Sequence, residues 1–301
     1  MSFEINALFS GECKNIKENK LKFENIKINP FFKMADFLQI IQKRNFDFDY
    51  FFTKFSKNKL FRHFLHSDLI TSTQTLLANQ LSWLPDGSVF IAHKQINGVG
   101  RKNNVWESPE GCLMFSFKII INKNNIHFLQ YFVTLMLLNA IKKTDNFKNI
   151  YIKWPNDIYF DKKIKIGGVL CNRVPGKHNE YVCGIGLNVY NKSPTTCLSE
   201  ISTSAKLPKH LAEDILFDFL TIFSSNFEKF EENGFCGYFL KKYYQFWMHS
   251  DQKVNVRNRD FVIKGIDEFG YLKVVDDLGE FSTLMPDGNR FDFLNGLIIQ
   301  K

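Results

Sequence analysis

Three short segments of the sequence bring glycines, cations or amide side chains together in close succession. The first runs Gly98-Val-Gly-Arg-Lys102. Glycines let backbone N–H groups approach an anion closely, and Arg101 and Lys102 can neutralise a phosphate or a developing negative charge. Trp106 adds a flat face for a base or ring. A surface loop with turn glycines and a core tryptophan is the alternative, because both the Walker A ending and the Rossmann glycine spacing are absent.

The second segment, Lys153-Trp-Pro-Asn-Asp157, directly follows a predicted strand. Pro155 ends that strand and fixes a turn, which then carries one cation, one amide and one carboxylate. Lys153 can hold a carboxylate or phosphate, and Asp157 can hold a metal or orient a neighbour. Alternatively, Asn156 and Asp157 only cap the turn, a frequent role for both residue types.

The third segment, Gly184-Ile-Gly-Leu-Asn188, ends a predicted strand. Glycines in a strand allow a ligand or another strand to approach, and the Asn188 amide can donate and accept hydrogen bonds at once, which suits an adenine edge. A β-bulge with a structural asparagine is the alternative. The strand before it, Lys165-Ile-Gly-Gly-Val-Leu170, carries another pair of glycines.

The elements that must position these segments mix helices and strands. The residues Ser72-Thr-Gln-Thr75 predict a helix start, and helices are also predicted over 126–143 and over 208–232, where Gly234 is a suitable C-terminal cap. Strands are predicted at 88–93, 113–121, 150–154, 165–172 and 180–189. The pattern indicates an α/β (α+β) fold, with a mixed sheet and flanking helices.

The pattern of apolar and polar residues changes near residue 249. Apolar residues alternate with polar ones between close turns, which predicts a small β-barrel or sheet of ~50 residues; the alternating positions are Val254, Val256, Phe261, Ile263, Tyr271, Lys273 and Val275. Residues 1–60 carry no motif, although a small helical cap would fit. We therefore predict an N-terminal extension of unknown role (1–60), a catalytic domain (61–246) and a small C-terminal β domain (247–301).

The composition excludes several classes of protein. Of 301 residues, 45% are hydrophobic and 23% charged, which is near globular averages and rules out disorder or a disulfide mini-scaffold for the bulk of the chain. The 33 Phe residues indicate a bias in base composition, and the net charge of +8 is scattered without a basic stripe. Cysteine and histidine lack metal-like spacing. The N-terminus lacks signal and presequence features, and the most apolar segment, 126–141, is too short and polar for a bilayer, which predicts a cytoplasmic protein.

Taken in order, the segments resemble biotin protein ligase, the holocarboxylase synthetase family. The resemblance covers about residues 65–301, and the tail from His249 to Asn289 is similar to the C-terminal domain of eukaryotic members. It implies a class II synthetase-like core with an SH3-like C-terminal β-barrel. The matching stretches are Ser72-Thr-Gln74, Gln95, Gly98-Val-Gly-Arg101, Val105-Trp-x-Ser-Pro-x-Gly111, Lys153-Trp-Pro-Asn-Asp157, Lys165-Ile-Gly-Gly-Val-Leu170 and Gly184-Ile-Gly-Leu-Asn188.

Members of that family activate biotin with ATP and Mg²⁺ to biotinyl-5′-AMP and transfer biotin to one lysine of the biotin carboxyl carrier domain of a carboxylase. The resemblance implies that Arg101 and Lys153 are catalytic, and that Mg²⁺ would lie near Asp157 without a definite set of metal ligands. It implies biotin contacts from Ser72, Thr73, Gln74, Gln95, Val99, Gly100, Arg101, Lys153 and Gly168. It implies ATP contacts from Arg101, Lys102, Trp106, Asn156, Asp157, Gly186 and Asn188.

One position departs from the family pattern: Val99 stands where a basic residue is usual between the two glycines, and Lys102 would have to compensate. That departure leaves a biotin-binding pseudoenzyme as an alternative. A lipoate–protein ligase is another, although its Arg-Arg-x-Ser-Gly-Gly-Gly loop is absent. A nucleic-acid-binding protein is the alternative from a different class. Because residues 1–60 show no helix-turn-helix, no DNA partner is predicted, and no membrane partner either; the protein would be a monomer or a homodimer.

Overall fold

A ten-stranded mixed sheet forms the centre of the protein. The computed structural model describes residues 3–8, 22–23, 26–31, 46–55, 58–122, 125–145, 147–204, 206–256, 258–286, 289–292 and 297–300. The helices are α1 (Phe48–Lys54), α2 (Thr73–Ala78), α3 (Leu129–Thr144), α4 (Leu198–Ile201), α5 (Leu211–Asn233) and α6 (Tyr238–Phe246). Strands of the large sheet are β1 (Phe3–Leu8), β2 (Lys22–Phe23), β3 (Ile26–Phe31), β4 (His63–Ile70), β5 (Ser88–Gln95), β8 (Cys112–Ile120), β9 (Ile150–Lys153), β10 (Asp157–Phe160), β11 (Ile164–Arg173) and β12 (Glu180–Asn188).

The strand order is β2-β3-β1-β4-β5-β8-β12-β11-β10-β9. Strands β1 and β3 are parallel, as are β4 and β5, and the remaining pairs are antiparallel. A separate two-stranded ribbon, β6 (Gly98–Val99) with β7 (Val105–Trp106), carries the glycine loop between its strands. The mixed sheet with flanking helices confirms the predicted fold class.

Both faces of the sheet are covered, because successive side chains of a strand point to opposite faces. On β5, Val89 and Ile91 belong to the larger core, which α3 and α5 complete, and Phe90 and Ala92 belong to a smaller core with residues of α2. Helices α3 and α5 also pack against each other. The sheet is therefore a rigid platform whose inner strands present their side chains to two packed layers.

The predicted helix boundaries follow local signals. The Ser72 hydroxyl accepts a hydrogen bond from the backbone N–H of Thr75 at 3.3 Å and caps α2, as side chains of this type do at helix starts. Gly234, with φ of 69°, ends α5, because a left-handed conformation there favours glycine. Helix α6 and strands β4 and β10 lay outside the sequence prediction.

A second sheet of six strands forms the C-terminal part, in the order β16-β15-β14-β13-β18-β17. Its strands are β13 (Lys253–Val256), β14 (Arg259–Ile266), β15 (Leu272–Val275), β16 (Phe281–Leu284), β17 (Asn289–Asp292) and β18 (Leu297–Gln300). This confirms a small C-terminal β domain. The alternation on β15 was misjudged: Leu272 and Val274 are buried and Lys273 is exposed, so residues of even number face the core. Residues 287–288 of the predicted tail motif lie outside the described residues.

The described part of the N-terminal segment joins the large sheet. Strand β1 pairs with β4, where Ala7 lies opposite Leu65, and α1 buries Phe48, Phe51 and Phe52. The domain boundaries at residues 60 and 246 stay predictions. Within the described ranges, no helix has the length and apolar character needed to cross a membrane.

Candidate active site

A cavity of about 540 Å³ opens where the three segments singled out in the sequence meet. It lies between the start of α2, the β6–β7 ribbon, the turn between β9 and β10, and the glycine-rich parts of β11 and β12. Among its lining residues are fourteen that the sequence predicted, namely Ser72, Thr73, Gln74, Gln95, Val99, Gly100, Arg101, Lys102, Trp106, Lys153, Asn156, Asp157, Gly168 and Gly186. Segments up to about a hundred residues apart in sequence thus face one space.

One end of the cavity is lined by uncharged polar groups. The Gln95 Oε1 atom accepts hydrogen bonds from the Thr73 backbone N–H at 2.8 Å and from its hydroxyl at 3.1 Å. That hydroxyl also contacts the Ser116 hydroxyl at 2.8 Å. Because these groups are hydrogen-bonded to one another, their orientation is fixed before a ligand arrives.

Gln74 presents an unpaired acceptor at the same end. Its Nε2 donates to the carbonyl of Val182 at 2.9 Å, which turns Oε1 the other way. That oxygen is buried and has no hydrogen-bond partner among the described residues. A β-carbon on Gly184 would lie 2.6 Å from it, so glycine makes room for the amide. A buried acceptor without a partner costs about 1–3 kcal/mol, which a ligand N–H would recover.

Trp106 lines the cavity, and the position of its indole depends on Gly186. A β-carbon on Gly186 would lie 2.4 Å from Cε2 of the indole, a distance that no side chain tolerates. The indole Nε1 is buried and unpaired within the described part of the chain. The ammonium of Lys165 lies 5.5 Å from the indole ring centroid, within range of a cation–π contact.

The two predicted catalytic cations, Arg101 and Lys153, line the same cavity. The Nη1 atom of Arg101 lies 3.4 Å from the Asn156 amide oxygen, and the Lys153 ammonium donates to the Tyr159 hydroxyl at 3.2 Å. The Asn156 Nδ2 donates to the carbonyl of Val169 at 2.5 Å, which anchors that amide. Burial raises the pKa of Tyr159, so this phenol stays protonated beside Lys153.

Asp157 and Lys165 form an ion pair at 2.7 Å at the cavity wall. Lys165 was missed by the sequence prediction as a site residue, as was Ser116. Lys165 lies opposite Tyr159 on the neighbouring strand, and only that register brings it to Asp157. Its place two residues before Gly167-Gly168 was the available signal. Ser116 lies within an apolar strand, where nothing in the local sequence marks it.

Lys102 lines the cavity but reaches toward the C-terminal domain. Its φ is 55°, and its ammonium donates to the carbonyl of Pro286 at 2.8 Å. Val99, at the position of the family departure, is 39% exposed and contributes its backbone and a small apolar side chain to the loop.

Asn188 is the one predicted site residue that the cavity lining does not include. Its Nδ2 donates to the Thr195 hydroxyl at 2.9 Å and to the Thr196 carbonyl at 3.3 Å. The side chain is buried and holds the loop that follows β12. Its predicted contact with adenine stays a prediction.

The described residues contain no cluster of three or more His, Cys, Asp or Glu that could hold a metal ion. Asp157 is the carboxylate that lines the cavity, and it is already paired with Lys165. This donor set does not make a metal site from protein groups alone. It is compatible with Mg²⁺ that is carried on nucleotide phosphates, the usual arrangement where one or two carboxylates assist.

Residues 67–188 match the family model of the biotin/lipoate A/B protein ligases. Biotin–protein ligase 2 of Arabidopsis thaliana is 36% identical over 274 residues, which span 85% of this chain and 83% of the plant protein. Human biotin–protein ligase is 30% identical over 283 residues, 88% of this chain and 39% of the human protein. The structure of Aquifex aeolicus biotin protein ligase with biotin and ATP superposes with a TM-score of 0.59 at 26% identity, over 73% of this chain and 94% of the other.

The chain therefore belongs to the biotin/lipoate A/B protein ligase family. Within it, the relatives place the chain with the biotin protein ligases, so it is a ligase that forms a C–N bond.

Proposed function

We propose that this protein joins biotin to a lysine of the biotin carboxyl carrier domain of a carboxylase, in two steps that use ATP. The observation that carries this proposal is the layout of one cavity. Hydrogen-bonded polar groups, an indole face and two cations line the same space, and they suit a polar bicyclic ring, an adenine and the anions between them.

In the first step, an oxygen of the biotin carboxylate attacks the α-phosphorus of ATP. A new P–O bond forms, the bond from the α-phosphorus to the β-bridging oxygen breaks, and pyrophosphate leaves with the electron pair. Both reactants are anionic, so Arg101 and Lys153 neutralise the carboxylate and the α-phosphate as they approach. Cations fixed in place before the reaction lower its barrier without reorganisation.

In the second step, the amine of the acceptor lysine attacks the acyl carbon of biotinyl-5′-AMP. An amide C–N bond forms, the C–O bond to AMP breaks, and the amine proton passes to solvent. The chain does not have to supply a nucleophile, because the partner supplies it. The loop at Val99 and Gly100 would cover the mixed anhydride and exclude water until the amine arrives.

The residues that line the cavity suggest which parts of biotin and ATP each would contact. Gln74 Oε1 would accept a ring N–H of biotin, beside Thr73 and Gln95, and Ser72 and Gly168 would border the ring system. Trp106 and Gly186 would meet the adenine, Asn156 and Lys102 would meet the phosphates, and Asp157 would act on the nucleotide through its Mg²⁺. Mg²⁺ would enter as Mg-ATP, held mainly by phosphate oxygens and water with Asp157 near.

Incubation of the purified protein with biotin, Mg-ATP and a carrier domain tests this proposal. We expect the mass of one biotinyl group on the carrier domain, and no gain when the acceptor lysine is replaced by arginine. Lipoate in place of biotin is the control for the lipoate ligase alternative, which the relatives do not favour. A folded protein that binds biotin without incorporating it would establish the pseudoenzyme instead.

Two sequence expectations remain predictions within this proposal. We propose a cytoplasmic protein, which fractionation with compartment markers would test. We also propose a monomer or homodimer, which sedimentation with and without biotin and ATP would distinguish.

A further inference from the structure

The outer edge of β9 is covered by a segment that leads into the C-terminal domain. The backbone N–H of Met248 donates to the carbonyl of Ile152 at 3.0 Å, and Trp247 lies beside Ile152 in a parallel bridge. One step further along, the backbone N–H of Trp154 donates to the Nε2 atom of His249 at 3.0 Å. An imidazole thus accepts the next hydrogen bond of the strand edge.

After His249 the covering segment turns away from β9, so its backbone does not continue along the strand edge to the N–H of Trp154. The backbone N–H of Gln252 donates to the carbonyl of His249 at 3.1 Å, which closes a turn. The chain then pairs with β14, where Asp251 and Ile263 bond through the backbone at 3.1 Å. The side chain of His249 spans the gap that this change of sheet creates.

The contacts fix the tautomer of His249. A backbone N–H can only donate, so Nε2 carries the lone pair and Nδ1 carries the hydrogen. Nδ1 lies 2.8 Å from Oε1 of Gln252, which accepts that hydrogen. The ring is fully buried. Burial, supported by the charges of Lys153 and Lys162, lowers its pKa to about 4 even though Gln252 acts in the opposite sense, and the acceptor form is therefore present at neutral pH.

The indole of Trp154 is held by two further hydrogen bonds. Its Nε1 donates to the Tyr131 hydroxyl at 2.8 Å and to the carbonyl of Gly270 at 3.1 Å. The backbone and the side chain of Trp154 are therefore both fixed by groups outside the turn. Trp154 directly follows Lys153, the last residue of β9.

We propose that His249 is a positioning residue for Lys153: its unprotonated Nε2 holds the Trp154 backbone and so sets where the turn presents the Lys153 ammonium to the cavity. The inference rests on the proposed role of Lys153 in adenylate formation. An apolar residue at position 249 leaves a buried N–H unpaired, and the turn shifts to find another partner. Displacements of about 1 Å in a catalytic group can cost a hundredfold in rate.

Three variants test the proposal by single-turnover formation of biotinyl-5′-AMP. His249→Leu should slow this step about 10- to 100-fold, while the dissociation constant of biotin changes less than about threefold. His249→Gln places an amide oxygen within reach of the Trp154 N–H and should restore most of the rate. Val274→Ala is the matched control, because it weakens the buried core of the C-terminal domain without touching the turn.

A spectroscopic measurement tests the tautomer directly. In the ¹⁵N spectrum of labelled wild-type protein, the His249 ring, assigned by its loss in His249→Gln, should show a protonated Nδ1 and a bare Nε2 near pH 7. A protonated Nε2 overturns the proposal.

The kinetic outcomes distinguish a failure of the positioning role of His249 from a failure of the proposed function. Active wild-type protein with an unaffected His249→Leu variant overturns the positioning role alone. Equal rate losses in His249→Leu and Val274→Ala at matched stability also overturn it, since they reveal a structural effect. Wild-type protein that makes no adenylate contradicts the proposed function and the positioning role with it.

Discussion

Most side chains of the cavity are prearranged by hydrogen bonds to one another. Two buried atoms of the cavity lining, Gln74 Oε1 and Trp106 Nε1, have no hydrogen-bond partner among the described residues. The cations and glycines of the site could be predicted because their chemistry is visible in short segments, as with Arg101 beside Gly100. Lys165 could not, since its ion pair with Asp157 arises from strand register. Local sequence identifies groups that act through their own turn and misses groups that act across a sheet.

Replacement of Lys153 by methionine removes the charge and keeps the length of the side chain. We expect adenylate formation to fall about 10²- to 10³-fold, the usual cost of losing one preorganised electrostatic group. Pyrophosphate exchange measures it. Lys162→Met is the charge-matched control, because Lys162 packs on the ring of Tyr151 outside the cavity; equal losses in both variants would contradict a specific role for Lys153.

Replacement of Gly186 by alanine should weaken nucleotide binding, because the new methyl group would displace the Trp106 indole. Stacking of a base on an aromatic ring contributes about 1–3 kcal/mol, so we expect the dissociation constant for ATP to rise by roughly 5- to 150-fold. Calorimetric titration measures it. Gly176→Ala is the control: Gly176 lies outside the cavity lining, and although its φ of 74° strains an alanine there, the added β-carbon meets no atom within 4 Å. Unchanged ATP affinity in Gly186→Ala would refute the stacking role.

Among the secondary-structure elements, helices α3 and α5 and strands β5, β8, β9, β11 and β12 were predicted, whereas strands β4 and β10 and helix α6 were not. Strand β10 has four residues, and it exists because the turn after Lys153 folds the chain back on β9. Helix α6 follows Gly237 without a side-chain cap, so no start signal marks it. The misjudged register of β15 has the same origin, because tertiary packing decides which face of a short strand is buried.

Acidification should weaken the junction between β9 and the C-terminal domain. His249 has a pKa of about 4 in the folded protein and about 6.5 unfolded. Between these values the unfolded chain binds a proton that the native one does not, so the free energy of unfolding falls as the pH falls. The neutral, buried His249 contributes its full stabilisation above about pH 6.5. As the pH falls from there toward 4, the free energy of unfolding drops by an amount on the order of 3 kcal/mol.

Urea denaturation of wild type and His249→Gln at several pH values measures this contribution, because the variant lacks it. Asp86 provides a control of opposite sign. Burial raises its pKa to about 6, so its protonation stabilises the native state as the pH falls below 6. Asp86→Asn should therefore make the acid loss steeper than in wild type. Parallel curves for wild type and His249→Gln would contradict the assignment for His249.

For the molecule as a whole, the abundance of phenylalanine is accommodated by the core. Rings of Phe51, Phe52 and Phe55 contact Phe64 of β4, and α5 continues the aromatic cluster at Phe217 and Phe223. A compositional bias toward one large apolar residue is tolerated where packing can interlock rings. The predicted N-terminal extension thus contributes α1 to this core, which the absence of a motif in residues 1–60 did not reveal.

Replacement of Phe51 by alanine tests the contribution of α1. The side chain is fully buried, so we expect the free energy of unfolding to fall by about 3–5 kcal/mol. Chemical denaturation followed by tryptophan fluorescence measures it. Leu278, which is 77% exposed in a turn, is the control, and its alanine variant should change stability by less than about 0.5 kcal/mol. A small effect at Phe51 would show that α1 packs only loosely.

The two edges of the large sheet determine how readily the protein can associate with other copies through strand pairing at high concentration. At one end the outermost strand of the described residues, β2, has two residues, and at the other end the chain at Trp247–His249 covers part of β9. Long unpaired strands recruit other chains and seed aggregates. Partial unfolding that released either end would create such a template, so the segments flanking the catalytic sheet also protect the enzyme from self-association.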